Sequence, residues 1–230
     1  MKRFWKVAAL VEDERGFGVT LDGRELKTPA RAALWVSGAA LGAAILGEWA
    51  DCGDDIDPRA MPLTGLANAA VDHVTPRPEI FADELARYAE ADLLCYRADH
   101  LPKLVEAQAA AWNPLLEWAR CRFEVEFVVA TGIIHVPQLP ATVARLAAEV
   151  ATATPFELAA LSPIVTIGGS LVTALALFDE AIDLDTAWQA VTVDDRWQID
   201  HWGADNEAVA ALANRHQDFA AAARFLALLS

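Results

Sequence analysis

Gly16–Pro29 reads G-F-G-V-T-L-D-G-R-E-L-K-T-P. Phe17, Val19 and Leu21 alternate with small or polar residues, the period of a half-buried strand. Asp22-Gly23 follows at once, the strongest short hairpin signal, because a type I′ turn needs positive φ at both central positions. Arg24–Thr28 returns and Pro29 closes the return. Upstream, Phe4–Val11 predicts a strand, and downstream Ala33-Leu34-Trp35-Val36 predicts another. The first 36 residues are therefore expected to form an antiparallel meander.

Outward from this stretch the pattern changes from period two to helical. Ser37 is placed to cap a helix carrying Leu41, Ile45 and Trp49 on one face. Cys52-Gly53-Asp54-Asp55 ends it, and Leu63–Val74 predicts a second helix. Thr75-Pro76-Arg77-Pro78 is the best linker in the chain, with two prolines in four residues. Ile80–Arg97 predicts one helix, with Phe81, Leu85 and Tyr88 on a stripe. Leu101–Arg122 predicts another, kinked or restarted at Asn113-Pro114 because proline inside a helix costs about 3 kcal/mol. Glu124–Val136, rich in β-branched and aromatic residues, predicts a short strand or hairpin. Helices are expected near 140–153, 155–178, 183–191 and 193–202, and from 206 to the C-terminus. In that last helix Val209, Leu212, His216, Phe219, Ala223 and Leu226 predict a buried stripe along its full length, with His216 a core residue. The expected fold class is α+β: an N-terminal antiparallel β-meander with helices over residues 1–75, then a larger all-helical domain over 76–230.

Composition narrows the function. The 230 residues are 55% hydrophobic, a composition that folds. Thirty-three acidic residues against 18 basic ones give a net charge of −15, and no Lys/Arg cluster interrupts that field, so nucleic acid and anionic membrane surfaces are poor partners. Three cysteines, none in a C-x-x-C pair, argue against a disulfide framework or a structural zinc site and fit a reducing compartment. The N-terminus passes from M-K-R-F-W-K-V directly into strand-like sequence without a targeting pattern, so a cytoplasmic protein is expected. Leu158–Phe178 is uncharged and about as long as a bilayer span. Pro163, Gly168, Gly169 and Ser170 interrupt it and its flanks are acidic, so it predicts a buried core helix entered through Ser162-Pro163 and not an integral membrane segment.

Catalytic motifs are missing. There is no G-x-x-x-x-G-K-[ST], no G-x-S-x-G and no H-E-x-x-H, and the five histidines are scattered without an i, i+4 pair. No cofactor and no metal is implied. The densest mix of aromatic and charged side chains is Asp194–Glu207, D-D-R-W-Q-I-D-H-W-G-A-D-N-E. An acid–base pair or a metal site built on His201 with Asp200 and Asp205 is one reading. Helix ends explain more: Thr192-x-x-Asp195 fits a capping box, Asp194 and Asp195 lie in a first turn, Gly203 stops the helix, and Asp205 caps the next one ahead of Glu207. Capping leaves Trp197 and Trp202 unexplained. They stand about 140° apart on a helix, so one flat contact does not easily bury both. One in the core and the other at an interface is one arrangement, and both packed inside is the other.

The motifs taken in order resemble a family. V-T-L-D-G-R-E-L-K-T-P (Val19–Pro29), E-W (Glu48-Trp49), M-P-L-T-G-L-A-N (Met61–Asn68), D-L-L-C-Y-R-A (Asp92–Ala98), W-N-P-L-L-E-W (Trp112–Trp118), G-S-L-V (Gly169–Val172) and W-Q-I-D-H-W-G-A-D-N-E-A (Trp197–Ala208) are together similar to the ATP synthase assembly chaperones that act on the α subunit of the soluble catalytic head. Asn113 stands where that family often has aspartate, and Arg196 interrupts its usual acidic run. The resemblance implies an N-terminal β-containing domain followed by a helical one, as the patterning predicts. It also implies a protein that is not an enzyme, is monomeric when free, and binds the unassembled ATP synthase α subunit to cover the surface its β partner later uses. Asp194 and Asp195, which match the family's acidic pair, are the first expected contacts, followed by Trp197, Gln198, Trp202 and Glu207; Trp49 and Asp92 are expected to be structural. The alternative is a metal-dependent or Asp/His acid–base enzyme using the Asp194–Glu207 cluster.

Overall fold

The computed structural model describes residues 2–229. By its internal packing the chain divides into two units, one of residues 2–78, 154–160 and 221–229, the other of residues 79–153 and 161–220. In the first, β1 (Ala8–Asp13) and β2 (Gly16–Leu21) pair antiparallel from Asp13↔Gly16 to Ala8↔Leu21. Asp22 and Gly23 reverse the chain with φ of 49° and 78°, both positive as a type I′ turn requires. Leu21 then faces Arg24 at the start of β3 (Arg24–Glu25). The Asp22 carboxylate also accepts from the backbone N–H of Lys6 at 3.0 Å and of Val7 at 2.9 Å. Val7 O also accepts from Asp22 N–H at 2.8 Å, and the first strand runs over Ala8–Asp13 where the sequence predicts Phe4–Val11. β4 (Trp35–Val36) pairs antiparallel with Gly18 and Phe17. Since β1 fills one edge of β2, β3 and β4 share the other, and β2 is the central strand.

Helix α1 (Ala39–Ala50) packs on β1 and β2 and buries Leu41 and Ile45. Ser37 does not cap it: Gly38 holds the N-cap position and no side chain bonds there. Gly42 explains how close this helix lies. A Cβ at that position would fall 2.8 Å from the Phe17 Cβ and 3.1 Å from the Leu10 Cδ1. Alanine gains about 0.8–1.0 kcal/mol of helix propensity, but overpacking typically costs about 1–3 kcal/mol, and Phe17 Cβ is fixed to the strand backbone. Gly42→Ala is therefore expected to lower the melting temperature by a few degrees; an unchanged or raised value would show that the helix lifts freely.

Helix α2 (Pro62–Ala69) continues in a wider turn over Ala70–Val74, in agreement with the helix predicted over Leu63–Val74. Its first turn is capped from α1. The Glu48 carboxylate accepts from Leu63 N–H at 2.7 Å, Thr64 N–H at 2.7 Å and the Thr64 hydroxyl at 2.6 Å. Asp72 in the wider turn accepts from the Thr28 hydroxyl at 2.6 Å and Ala30 N–H at 3.0 Å. Trp49 is half-buried and packs on Trp5, ring centroids 5.0 Å apart.

In the second unit the helix predicted over Ile80–Arg97 stops early. Helix α3 (Pro78–Ala86) gives way to 3₁₀ turns at Arg87–Glu90 and Leu93–Cys95, and then to β5 (Tyr96–Arg97). Asp92 caps the second of these turns. It is 0% exposed, and its carboxylate caps two segments at once, accepting from Leu94 N–H at 3.0 Å and from Val172 N–H at 2.9 Å. Leu93 N–H donates to Gly169 O at 2.9 Å beside it. Burial pushes the Asp92 carboxyl up to about 6, against the lowering effect of the N–H groups it receives. Cys95, buried next to it, has its thiol pushed up to about 12 by burial and by the nearby Asp92.

Helix α4 (Pro102–Phe123) runs unbroken through Pro114, with neither restart nor new cap at Asn113. Its burial is continuous on both sides of the proline, through Trp112, Leu115 and Leu116, and the Trp112 indole N–H donates to Ala190 O at 2.7 Å. The stretch after α4 forms β6 (Ala130–Thr131), which pairs parallel with β5. Helices α5 (Pro140–Val150), α6 (Pro155–Gly168), α7 (Leu171–Phe178), α8 (Leu184–Val191), α9 (Val193–Trp202) and α10 (Asn206–Ala227) follow. Leu158–Phe178 is thus two helices separated at Gly169-Ser170, with Ser170 Oγ capping Thr173 N–H at 3.0 Å. The entry to α6 is Thr154, not Ser162-Pro163. Thr154 N–H donates to Glu157 and Glu157 N–H to the Thr154 hydroxyl, a reciprocal capping box, and Pro163 lies mid-helix. Among the described residues no helix is long and apolar enough to cross a membrane. The stripe on α10 is buried at Phe219, Ala223 and Leu226 but not at Val209, which is exposed, so the predicted full-length burial fails over the first turns. The partner of those turns is α9, which has no buried residue of its own.

Candidate functional site

A single residue, Thr192, separates α8 from α9. It is fully buried, and its hydroxyl donates to Trp188 O at 2.6 Å, closing α8 instead of capping α9. The predicted Thr192–Asp195 capping box is therefore absent. With no slack between two helices, the hydroxyl finds its acceptor one turn back. The other helix-end expectations hold: Gly203 ends α9 with its N–H on Ile199 O at 3.0 Å, and Asp205 accepts from Glu207 N–H at 3.2 Å at the start of α10.

The two aspartates of the first turn are both engaged. Asp194 accepts from Gln108 Nε2 on α4 at 2.7 Å, and the same glutamine accepts from Ala98 N–H at 2.9 Å. Asp195 pairs with Arg215 on α10 at 3.3 Å, and the second terminal nitrogen of Arg215 donates to Ile167 O, also at 3.3 Å. Gln108 and Arg215 are the residues that sequence reading did not connect to this stretch. Their partners lie 86 and 20 positions away, outside the reach of local pattern.

The tryptophans divide. Trp197 is half-buried, stacked on His201 at 3.9 Å and edge-on to Trp202 at 5.4 Å, with its indole nitrogen buried and unpaired. Trp202 is 71% exposed. Gln198, Asp200, His201 and Glu207 are exposed around it. Between α9 and α10 lies a hollow of about 390 Å³ floored by Ile199, Ala208, Ala211 and Leu212, with Trp202 and Asp205 on its lip and Asp195 and Arg215 at one end. Residues 194–218 hold six acidic and two basic side chains, so its surroundings are anionic. His201 turns Nδ1 to Trp197 O at 2.9 Å. Among the described residues no three His, Cys, Asp or Glu side chains are grouped to hold a metal ion. A large exposed indole thus stands beside an apolar trough with acidic edges.

A family model described as ATP12 chaperone protein matches residues 2–120. The chain belongs to the ATP12 chaperone family. This is the family of ATP synthase assembly chaperones that the ordered motifs resemble. The likeness to ATP12 proteins extends past the matched half. The fission yeast (Schizosaccharomyces pombe) protein called "Protein atp12, mitochondrial" is 24% identical over 219 residues, which cover 90% of this chain and 75% of that one. The crystal structure of Atp12 from Paracoccus denitrificans is 40% identical with a TM-score of 0.95, covering all of this chain and 98% of that chain. The Atu1473 protein of Agrobacterium tumefaciens is 33% identical, again with a TM-score of 0.95, over all of this chain and 86% of that one. The α+β architecture, a small antiparallel sheet followed by many helices, is accordingly shared with solved ATP12 structures.

Proposed function

We propose that this protein is a non-enzymatic chaperone of ATP synthase assembly that binds the unassembled α subunit and covers the apolar surface its β partner later occupies. The observation that carries the docking site is the exposed Trp202 on the lip of the acidic trough between α9 and α10. Family membership supports the chaperone reading. Trp202, Gln198 and Glu207 supply the contact, while Asp194 ties α9 to α4, Trp197 stacks on His201 within α9 and Asp195 edges the trough. Mass action does the rest. A protein that binds the folded, unassembled subunit stabilises it by RT ln(1 + [L]/Kd) and hides surface that would otherwise aggregate. Mixing purified protein with isolated α subunit is expected to give a 1:1 complex by size-exclusion chromatography with light scattering, and to suppress the turbidity of α on warming. Equal turbidity with and without the protein overturns the proposal.

A further inference from the structure

The trough between α9 and α10 has a neighbour. A second hollow of about 270 Å³, lined by Leu93, Trp112, Ile167, Val191 and Asp194, shares two lining residues with it, Asp195 and Arg215. Those two residues form an ion pair with each other, so the pair is a partition between the hollows. It is a weak one. One nitrogen meets one oxygen at 3.3 Å, with the two side chains 40% and 42% exposed, where solvent screens most of the attraction. Arg215 also has a second acceptor, Ile167 O, to hold it when Asp195 is taken away.

We propose that the Asp195–Arg215 pair is an exchangeable latch. A lysine or arginine of the client replaces Arg215 on Asp195 while the aliphatic residues flanking it settle on Ile199, Ala208, Ala211 and Leu212. The occupant is thus a cationic, aliphatic segment of the α subunit, and this rests on the α-subunit reading above. The chemistry follows from charge complementarity: the excess of acids over residues 194–218 repels an anionic segment and attracts a cationic one. Small side chains at Ala208 and Ala211 leave room for aliphatic ones, as in other grooves that receive an amphipathic segment.

The latch predicts effects of opposite sign. Arg215→Met frees Asp195 and is expected to tighten binding of isolated α subunit by about 3–10-fold, while Asp195→Asn weakens it by at least about 10-fold and flattens its salt dependence. If the pair only braces α9 against α10, both variants lower the melting temperature and weaken binding together, and the proposal falls. It also falls if neither variant changes binding. Should Asp195→Asn fail to fold, a photo-cross-linking residue at position 211 decides: linked α peptides with a lysine or arginine among aliphatic residues support the latch, while acidic peptides or links to a second copy of this chain overturn it. Wild-type protein that does not bind α at all removes the parent reading, and the latch with it; wild-type binding without the opposite signs removes the latch alone.

Discussion

Asp92→Ala is expected to lower the unfolding free energy by about 2–6 kcal/mol, because the two buried N–H groups it serves, those of Leu94 and Val172, are left without an acceptor at about 1–3 kcal/mol each. In a chain of this size, at about 2–4 °C per kcal/mol, that is a fall in melting temperature of about 4–24 °C. Asp92→Asn isolates the charge. The native carboxyl titrates at about 6, above its ordinary value of 3.8, because desolvation outweighs the N–H groups that favour the anion. A raised native value means that the folded state holds the proton more tightly. The contribution of Asp92 is therefore greatest in acid and is lost as pH rises through about 6. From pH 3 to pH 7.5 it declines by about 3 kcal/mol, of which about 1 kcal/mol lies above pH 5. Asparagine does not titrate. The stability gap between wild type and Asp92→Asn should then be wider at pH 5 than at pH 7.5, by denaturant titration at each pH. A gap independent of pH would mean that the buried carboxyl stays ionised across this range.

Trp202→Ala is expected to weaken binding of the isolated α subunit by about 30-fold or more, as truncation of an interface tryptophan commonly costs about 2 kcal/mol or above. With 71% of the residue in solvent, the melting temperature should hardly move. Trp197→Ala is the control that separates docking from folding. It loses the His201 stack, the edge contact to Trp202 and a half-buried indole, so it should melt earlier. Unchanged affinity in Trp202→Ala would move the docking surface elsewhere. The next place to look is the loop after β6, where Ile133 is 100% exposed and Ile134 79%. That loop is anchored at its base: Gln138 both donates to Val128 O at 2.7 Å and accepts from Val128 N–H at 2.9 Å.

What was legible in the sequence was local. Asp22-Gly23 announces its turn because both positive φ values belong to adjacent residues, and Gly203 and Asp205 announce a helix end and a helix start for the same reason. The period of the apolar residues matches the element order from α4 to α10 except that α6 and α7 read as one helix. What was not legible depends on a distant partner. The helix that the stripe Phe81, Leu85, Tyr88 predicts to continue gives way at Arg87, and beyond it Asp92 caps a new turn while bonding a residue 80 positions away. Thr192 looks like a cap until α8 is seen to end on its hydroxyl. On α10 the spacing of Val209 and Leu212 is that of a core face, but no core lies opposite the first turns. At Asp194–Glu207 the residue types were readable as a surface with acids and indoles. Which tryptophan stays in solvent was not, because helical period fixes an angle between two side chains and not what stands across from either.

The two carboxylates that cap from a distance also set a schedule for the growing chain. Glu48 meets α2 only 15 residues later, so that cap can close as soon as the segment leaves the ribosome. Asp92 must wait for Val172, and at about 5–20 residues per second the intervening 80 residues take about 4–16 s to make. Through that interval Asp92 is a hydrated anion on an unfinished unit. It enters the interior, and acquires its raised proton affinity, only when α7 arrives.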